Sequence, residues 1–136
     1  ASAKPAALLA DWRDGRVKQA LLRTSLQLRV SDPELFARGR YVPIAATGKR
    51  ANCVFAFARV AQTSAALVVA SVRVASPLID AETPLPDAAW WEDTALDLPR
   101  ALAERRWFDV LTGESATSAR MTVALARLPA ALLISR

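Results

Sequence analysis

The side chains able to do chemistry in this 136-residue chain are few, and most of them are carboxylates. Asp80, Glu82 and Asp87 cluster in one stretch, and Glu92, Asp93 and Asp97 in the next. Cleaving or remaking a glycosidic bond needs two carboxyls on opposite sides of that bond, held by rigid elements. The first three acids sit in a proline-rich segment, and adjacent positions of an extended segment point to opposite faces. Solvated surface acids are the reading this placement favours. The chain has no histidine. That removes the usual neutral-pH base, the commonest zinc ligand and every Ser-His-Asp or Cys-His scheme. The single cysteine, Cys53, cannot make an internal disulfide or a thiolate metal cluster. With no base to activate it, Cys53 reads as a core filler. Four glycines occur singly, so no glycine-rich phosphate loop exists. No catalytic residue, metal ligand or cofactor site is assigned on these grounds. Trp90, Trp91 and Trp107 are candidate substrate-binding residues, because an aromatic face can stack on the C–H face of a pyranose. Packing in a core is the competing use of the same rings.

Charge narrows the partners. Eighteen basic residues against thirteen acidic ones give a net charge of +5 and an isoelectric point near 10.3. The basic residues are scattered from Lys4 to Arg136, and the only adjacent pairs are Lys49-Arg50 and Arg105-Arg106. Such a distribution supports non-specific association at most, so nucleic acid is not an expected partner. No uncharged apolar run is long enough to span a bilayer, so no membrane partner is expected either. The segment from Ala1 to Leu9 is too short and too weakly apolar for a signal peptide, and a cytoplasmic location is the expectation. The absence of an initial Met suggests a chain cut from something longer.

Elements must position these residues, and their order can be read along the chain. The first is a helix from about Gly15 to Val30, with Asp11 or Asp14 able to accept the free N–H groups of its first turn. At 100° per residue, Val17, Leu21 and Leu28 fall within about 40° of one another, while Leu22 and Leu26 lie roughly opposite. A helix apolar on two sides fits a position between two layers. Ser31-Asp32-Pro33-Glu34 then reads as a cap followed by proline at a first helical position. Gly39 is expected to end that short turn in the left-handed conformation.

From Arg40 the hydrophobic period changes to 2. Tyr41–Ala45 reads as a strand that Pro43 marks as an edge or irregular one. Residues 47–50 read as a turn. Residues 53–59 alternate, with Cys53, Phe55 and Phe57 on one face. The apolar run from Ala65 to Val74 fits a central strand covered on both faces. Residues 76–89, with Pro77, Pro84 and Pro86, read as a surface excursion. Further strands are expected over Trp91–Leu98, Arg106–Thr112, Met121–Ala126 and Ala130–Ile134, with a polar turn at Glu114–Ala119. About seven short strands imply a mainly β fold, an antiparallel β-sandwich of Greek-key type behind an N-terminal α-helix. The domain division is 1–39 for a linker, the helix and a short helical turn, and 40–136 for the sandwich.

Several words of the chain, in order, resemble the C-terminal region of maltooligosyl trehalose synthase, of the α-amylase superfamily (glycoside hydrolase family 13). They are Asp14-Gly15-Arg16-Val17-Lys18, Pro33-Glu34-Leu35-Phe36-Ala37-Arg38-Gly39-Arg40-Tyr41-Val42-Pro43 and Val54-Phe55-Ala56-Phe57-Ala58-Arg59. Trp91-Glu92-Asp93-Thr94-Ala95-Leu96-Asp97-Leu98-Pro99, Trp107-Phe108-Asp109-Val110-Leu111-Thr112-Gly113-Glu114 and Leu128-Pro129-Ala130-Ala131-Leu132-Leu133 continue the series. The resemblance implies a parent enzyme with a catalytic (α/β)8 barrel followed by a β-sandwich. That parent turns the reducing-end α-1,4 link of a maltooligosaccharide into an α,α-1,1 link, with two carboxyl groups and no cofactor.

The barrel strands that carry those carboxyls are missing here, so no catalytic residue transfers to this chain. By the same resemblance the helix is the last barrel helix, and Val17, Leu21, Leu22, Leu26 and Leu28 are the candidate interface with the missing barrel. The expected role is to pack against and stabilise that barrel, with maltooligosaccharide a partner through the parent enzyme. Self-association of the isolated chain is the expected way to hide an uncovered helix face. The rival readings are a stand-alone carbohydrate-binding sandwich and a small basic nucleic-acid-binding domain.

Overall fold

The computed structural model describes residues 4–116 and 125–136. A short helix, α1 (Pro5–Ala10), and a 3-10 turn at Trp12–Asp14 lead into the long helix α2 (Arg16–Ser31). Asp14 tethers the start of α2, its carboxylate accepting from the Arg16 N–H at 2.9 Å and pairing with the Arg16 guanidinium. The residue that precedes α2 directly is Gly15, whose φ of 86° is a left-handed value that glycine adopts without strain. The Asp32 carboxylate accepts from the Leu35 N–H at 3.1 Å and caps α3 (Pro33–Arg38), with Pro33 in its first turn.

Gly39 does not end α3 in the expected way. Its φ is −57°, open to any residue, and what demands glycine is space. A Cβ there would stand 2.1 Å from the Leu35 carbonyl oxygen.

The rest of the described chain is mainly β, with seven antiparallel strands and few helices. The strands are β1 (Arg40–Thr47), β2 (Val54–Val60), β3 (Ala65–Ser71), β4 (Ala95–Asp97), β5 (Trp107–Asp109), β6 (Glu114–Ala116) and β7 (Ala130–Ser135). A four-residue helix, α4 (Arg100–Ala103), lies between β4 and β5. Their order across the curled sheet is β4-β1-β2-β3-β7-β5-β6, consistent with a β-sandwich or half-barrel. Strand β1 divides its pairing. Arg40–Ile44 pair with β2, and Ala45–Thr47 pair with β4 on the other flank. Pro43 stands in the half that β4 does not reach, where a missing N–H breaks no ladder on that side.

Register assigns each face. Ile44, Ala56, Ala58, Leu67, Val69, Ala131 and Leu133 alternate onto one side and form the larger core with Trp91, Leu96, Leu102 and Trp107. Val68, Leu132 and Ile134 alternate onto the other side, where Val17, Leu21 and Leu28 of α2 and Phe36 of α3 meet them. Strand β3 is covered on both faces, as its unbroken apolar run predicts.

Several predicted elements change, the strand expected over Arg106–Thr112 shortening to Trp107–Asp109 among them. Cys53 is buried, but in a 3-10 turn at Ala51–Cys53 and not on the Phe55/Phe57 face of β2. Small Ala56 and Ala58 fill the main core from β2, while Phe55 projects outward at 50% exposure. The strand expected over Trp91–Leu98 shrinks to Ala95–Asp97, because Trp91 closes a 3-10 turn and Glu92 has a φ of 50°, which no strand allows. Glu114–Ala116 is a strand where a turn was expected, paired with Trp107–Asp109 across a turn that holds Gly113 at a φ of 78°. Of the strand expected at Met121–Ala126, residues 121–124 lie outside the described residues, and Leu125 and Ala126 are in a turn. Among the described residues, no helix is long and apolar enough to cross a membrane.

Candidate functional site

Two surfaces stand out once the core is accounted for. The first is the outer side of α2. Its inner stripe follows the predicted periodicity: Leu28 is buried, and Val17 and Leu21 pack beside it. The other predicted face is bare. Leu22, Leu26 and Val30, spaced i, i+4 and i+8 along one stripe, are 52%, 59% and 81% exposed. Of the five candidate interface residues, therefore, Val17, Leu21 and Leu28 are spent on this chain's own sheet. Leu22 and Leu26 stay more than half exposed.

The second surface is a junction between two turns. The β1–β2 connection brings Gly48, Lys49 and Arg50 against the segment 90–94 that precedes β4. Gly48 is held at a φ of 92°, and any Cβ there would come within 2.8 Å of the Asp93 carbonyl and the Thr94 Cα. The Lys49 N–H donates to the Asp93 carboxylate at 3.0 Å, and the Arg50 N–H donates to the Thr94 hydroxyl at 3.0 Å. Thr94 is fully buried, so this bond satisfies a hydroxyl that water cannot reach. The Arg50 guanidinium lies 4.6 Å from the Trp90 ring centroid, a cation–π distance, and its Nε–H donates to the Trp90 carbonyl at 3.3 Å.

Glu92 is the anomaly of this junction. Its φ of 50° and ψ of −122° match the first central position of a type II′ turn. The Thr94 N–H donating to the Trp91 carbonyl at 3.0 Å closes that turn. Glycine is the residue for that position, and a side chain there costs on the order of 1–3 kcal/mol. The Glu92 carboxylate meets Lys49 Nζ at 2.9 Å and Arg50 at 4.0 Å, with its side chain 41% exposed. Ion pairs as exposed as these contribute roughly 0–1 kcal/mol. The strain exceeds what the contacts return.

Trp91 and Trp107 are 1% and 7% exposed and belong to the main core, so their faces are not open to a sugar. This corrects the stacking expectation for both: their area is worth more inside, and the Trp107 indole N–H is satisfied by the Leu102 carbonyl at 3.0 Å. Trp90 is only part-buried, edge-on to Trp91 at 5.0 Å and beneath Arg50. Asp80, Glu82, Asp87 and Asp97 are all surface residues. Among the described residues no group of three or more metal-ligating side chains comes together.

Sequence reasoning passed over one acid. Asp109, on β5, is buried at 6% exposure. Burial pushes its carboxyl above the ordinary aspartate value, and hydrogen bonds from backbone N–H groups, that of Leu111 at 2.9 Å among them, oppose the shift. No spacing rule marks an inward-facing acid at a strand end before the register is known.

No family model matches the chain. In sequence it is 33% identical over 118 residues to a protein of Mycobacterium tuberculosis provisionally named maltooligosyl trehalose synthase, in each of two strains. The match takes in 86% of this chain and 13% of that relative. In structure it resembles maltooligosyltrehalose synthase from Arthrobacter ramosus, at 32% identity, with a TM-score of 0.63 for that protein and 0.66 for a point mutant of it. Those alignments cover 90% of this chain and 14% of the solved chains. The homologues in sequence and in structure are thus the same enzyme, and the chain spans about 13% of the length of the curated relatives it matches.

Proposed function

We propose that this chain is the non-catalytic C-terminal region of a maltooligosyl trehalose synthase, and that it packs against and stabilises a catalytic barrel of the parent. The parent reaction is the intramolecular transfer that turns the reducing-end α-1,4 link of a maltooligosaccharide into an α,α-1,1 link. The chain itself contributes no catalytic carboxylate to it. Its homologues are about seven times longer, so most of the surface it would face lies outside it.

The observation that carries the packing role is the bare stripe of Leu22, Leu26 and Val30 on a helix whose opposite stripe is already used. Isolated apolar side chains on a surface need no explanation, but three in register along one helix face mark a contact. Arg23 and Arg29 flank the stripe and can keep the isolated chain in solution.

The test is association in trans. The remaining part of a maltooligosyl trehalose synthase, expressed without this region, is mixed with the 136-residue chain, and complex formation and transglucosylation are followed. The expected result is a complex that restores heat resistance to the barrel fragment. Replacing Leu22 and Leu26 together by Lys should abolish it. A complex that forms equally well with the double variant would assign the contact to another face, and absence of any complex would remove the packing role.

A further inference from the structure

On the strength of the packing role above, we propose that the surface covering the outer face of α2 in the parent enzyme is an apolar groove edged with carboxylates, which Lys18, Arg23 and Arg29 engage from two sides. At 100° per residue, with Leu28 at zero, Leu22, Leu26 and Val30 fall at about 120°, 160° and 200°. Lys18 and Arg29 fall at about 80° and 100°, and Arg23 and Arg16 at about 220° and 240°. The bare stripe thus runs between two basic rails. All four cations are exposed, and α2 contains no acidic residue. Arg16 is occupied by Asp11 and Asp14. Lys18, Arg23 and Arg29 make no ion pair among the described residues. Exposed Arg38 and Arg100, by contrast, each pair with a glutamate one helical turn away.

Charge decides between the occupants such a face could take. A cation at the rim of an interface is complemented by a carboxylate across it, and such pairs set orientation and encounter rate. A second copy of this chain offers apolar area but places cations against cations, and the net charge of +5 adds to that repulsion. It is the weaker cover, one that salt strengthens by screening. An anionic membrane would satisfy the rails, as it does for other basic amphipathic helices. The stripe itself counts against a membrane: exposed Gln19 falls at about 180°, in line with Leu26. A groove wall can hydrogen-bond that amide, and lipid tails cannot. The inner side of α2 is fixed to the sheet through the cluster of Leu28, Leu132 and Val68, so the helix cannot roll to hide Gln19. The cover that fits is a protein surface, apolar along its floor and acidic along both edges.

Hydrogen exchange of the α2 amides is compared between the full-length maltooligosyl trehalose synthase carrying this region and the 136-residue chain, kept dilute enough to be monomeric. One variant combines Lys18→Glu, Arg23→Glu and Arg29→Glu, and circular dichroism verifies that it folds. In the full-length enzyme at low salt its exchange should quicken at least about tenfold, the sum of three modest ion pairs. In about 1 M salt, where the screening length is about 3 Å, the acceleration should shrink to within about threefold. In the 136-residue chain, which lacks the partner, the same variant should stay within about twofold at either salt. Leu26→Lys should quicken exchange in the full-length enzyme at both salts, because an ammonium against the groove floor is unfavourable whatever the screening. Acceleration by Leu26→Lys without any by charge reversal overturns this proposal and leaves the packing role standing. No acceleration by either variant removes the packing role, and the acidic groove with it. Equal acceleration in the enzyme and in the 136-residue chain means that the rails act within this chain, which also overturns the proposal. So does an enzyme unmoved by charge reversal while the 136-residue chain binds phosphatidylglycerol vesicles through those cations, since the rails then face a membrane.

Discussion

Replacing Glu92 by glycine should stabilise the chain, although it removes two ion pairs. Three terms decide the sign. Relief of the positive-φ conformation returns about 1–3 kcal/mol. Loss of the exposed contacts to Lys49 and Arg50, which share one carboxylate oxygen, costs roughly 0–1 kcal/mol. Greater freedom of the unfolded chain with an added glycine costs about 0.5–1 kcal/mol. The central value is a net gain of about 0.5–1 kcal/mol, or a rise of roughly 2–5 °C in Tm for a domain of this size.

Glu92→Ala sharpens the comparison. Alanine loses the same carboxylate but keeps the Cβ, so it sheds the ion pairs and retains the strain. At an ordinary position alanine is the more stabilising of the two by about 0.5–1 kcal/mol. Here the order should reverse, with the glycine variant melting above both the alanine variant and the parent chain. Urea titration with a shared m-value, alongside thermal melts, measures the difference. An alanine variant equal to or above the glycine variant would falsify the claim that Glu92 is strained.

Gly39→Ala should destabilise by about 2 kcal/mol or more, since a Cβ 2.1 Å from the Leu35 carbonyl forces the end of α3 to move; a φ of −57° alone would make the change harmless. On α2, Leu28→Ala should cost about 2–5 kcal/mol in a urea melt, whereas Leu26→Ala should stay within about 0.5 kcal/mol because its side chain is already wet. Sedimentation of the isolated chain should show self-association that Leu22→Lys and Leu26→Lys together abolish. Asp109 has its carboxyl raised, so its charged form is the one the fold disfavours. That penalty is absent below the ordinary aspartate value near 3.9, grows between that value and the raised one, and is constant above it. The stability of the parent chain relative to Asp109→Asn should therefore fall as pH rises above the ordinary aspartate value, and level off once the raised one is passed; a constant difference would show that Asp109 is not desolvated.

Much of the fold was legible because it depends on periodicity and local capping. The i, i+4 stripes of α2, the Asp32-Pro33 start of α3 and the unbroken apolar run of β3 each follow from a rule that needs only neighbours in sequence. What was not legible depends on register. Phe55 and Phe57 look like a core face, yet Ala56 and Ala58 are the residues that the larger core accepts from β2. Leu67 and Val69 of β3, Leu133 of β7 and Trp91 of the 3-10 turn bring the bulk of that core, and the small residues of β2 pack among them. The same unknown hid the tryptophans' fate. Adjacent Trp90 and Trp91 look alike in sequence, and only the turn at Glu92 decides that one enters the core while the other stays at the rim.

That turn also explains why the candidate site escaped the sequence. Lys49 and Arg50 read as a scattered basic pair, and Glu92 and Asp93 as two solvated acids 43 and 44 residues beyond Lys49. Pairing of Ala45–Thr47 with Ala95–Asp97 is what carries them together, through a three-residue ladder too short to predict. Gly48 sets how closely they meet, because its missing Cβ lets the Asp93 backbone approach. A substitution at Gly48 should therefore separate the basic pair from the acids without touching any of the four charges. Gly48→Ala combines a left-handed φ with a clash against backbone, so the turn must shift and the β1–β4 ladder with it. Hydrogen exchange should show amides of β4 losing protection while those of β2 and β3 keep theirs. Uniform loss across the sheet would mean that the junction is part of the global core and not a separable site built on its edge.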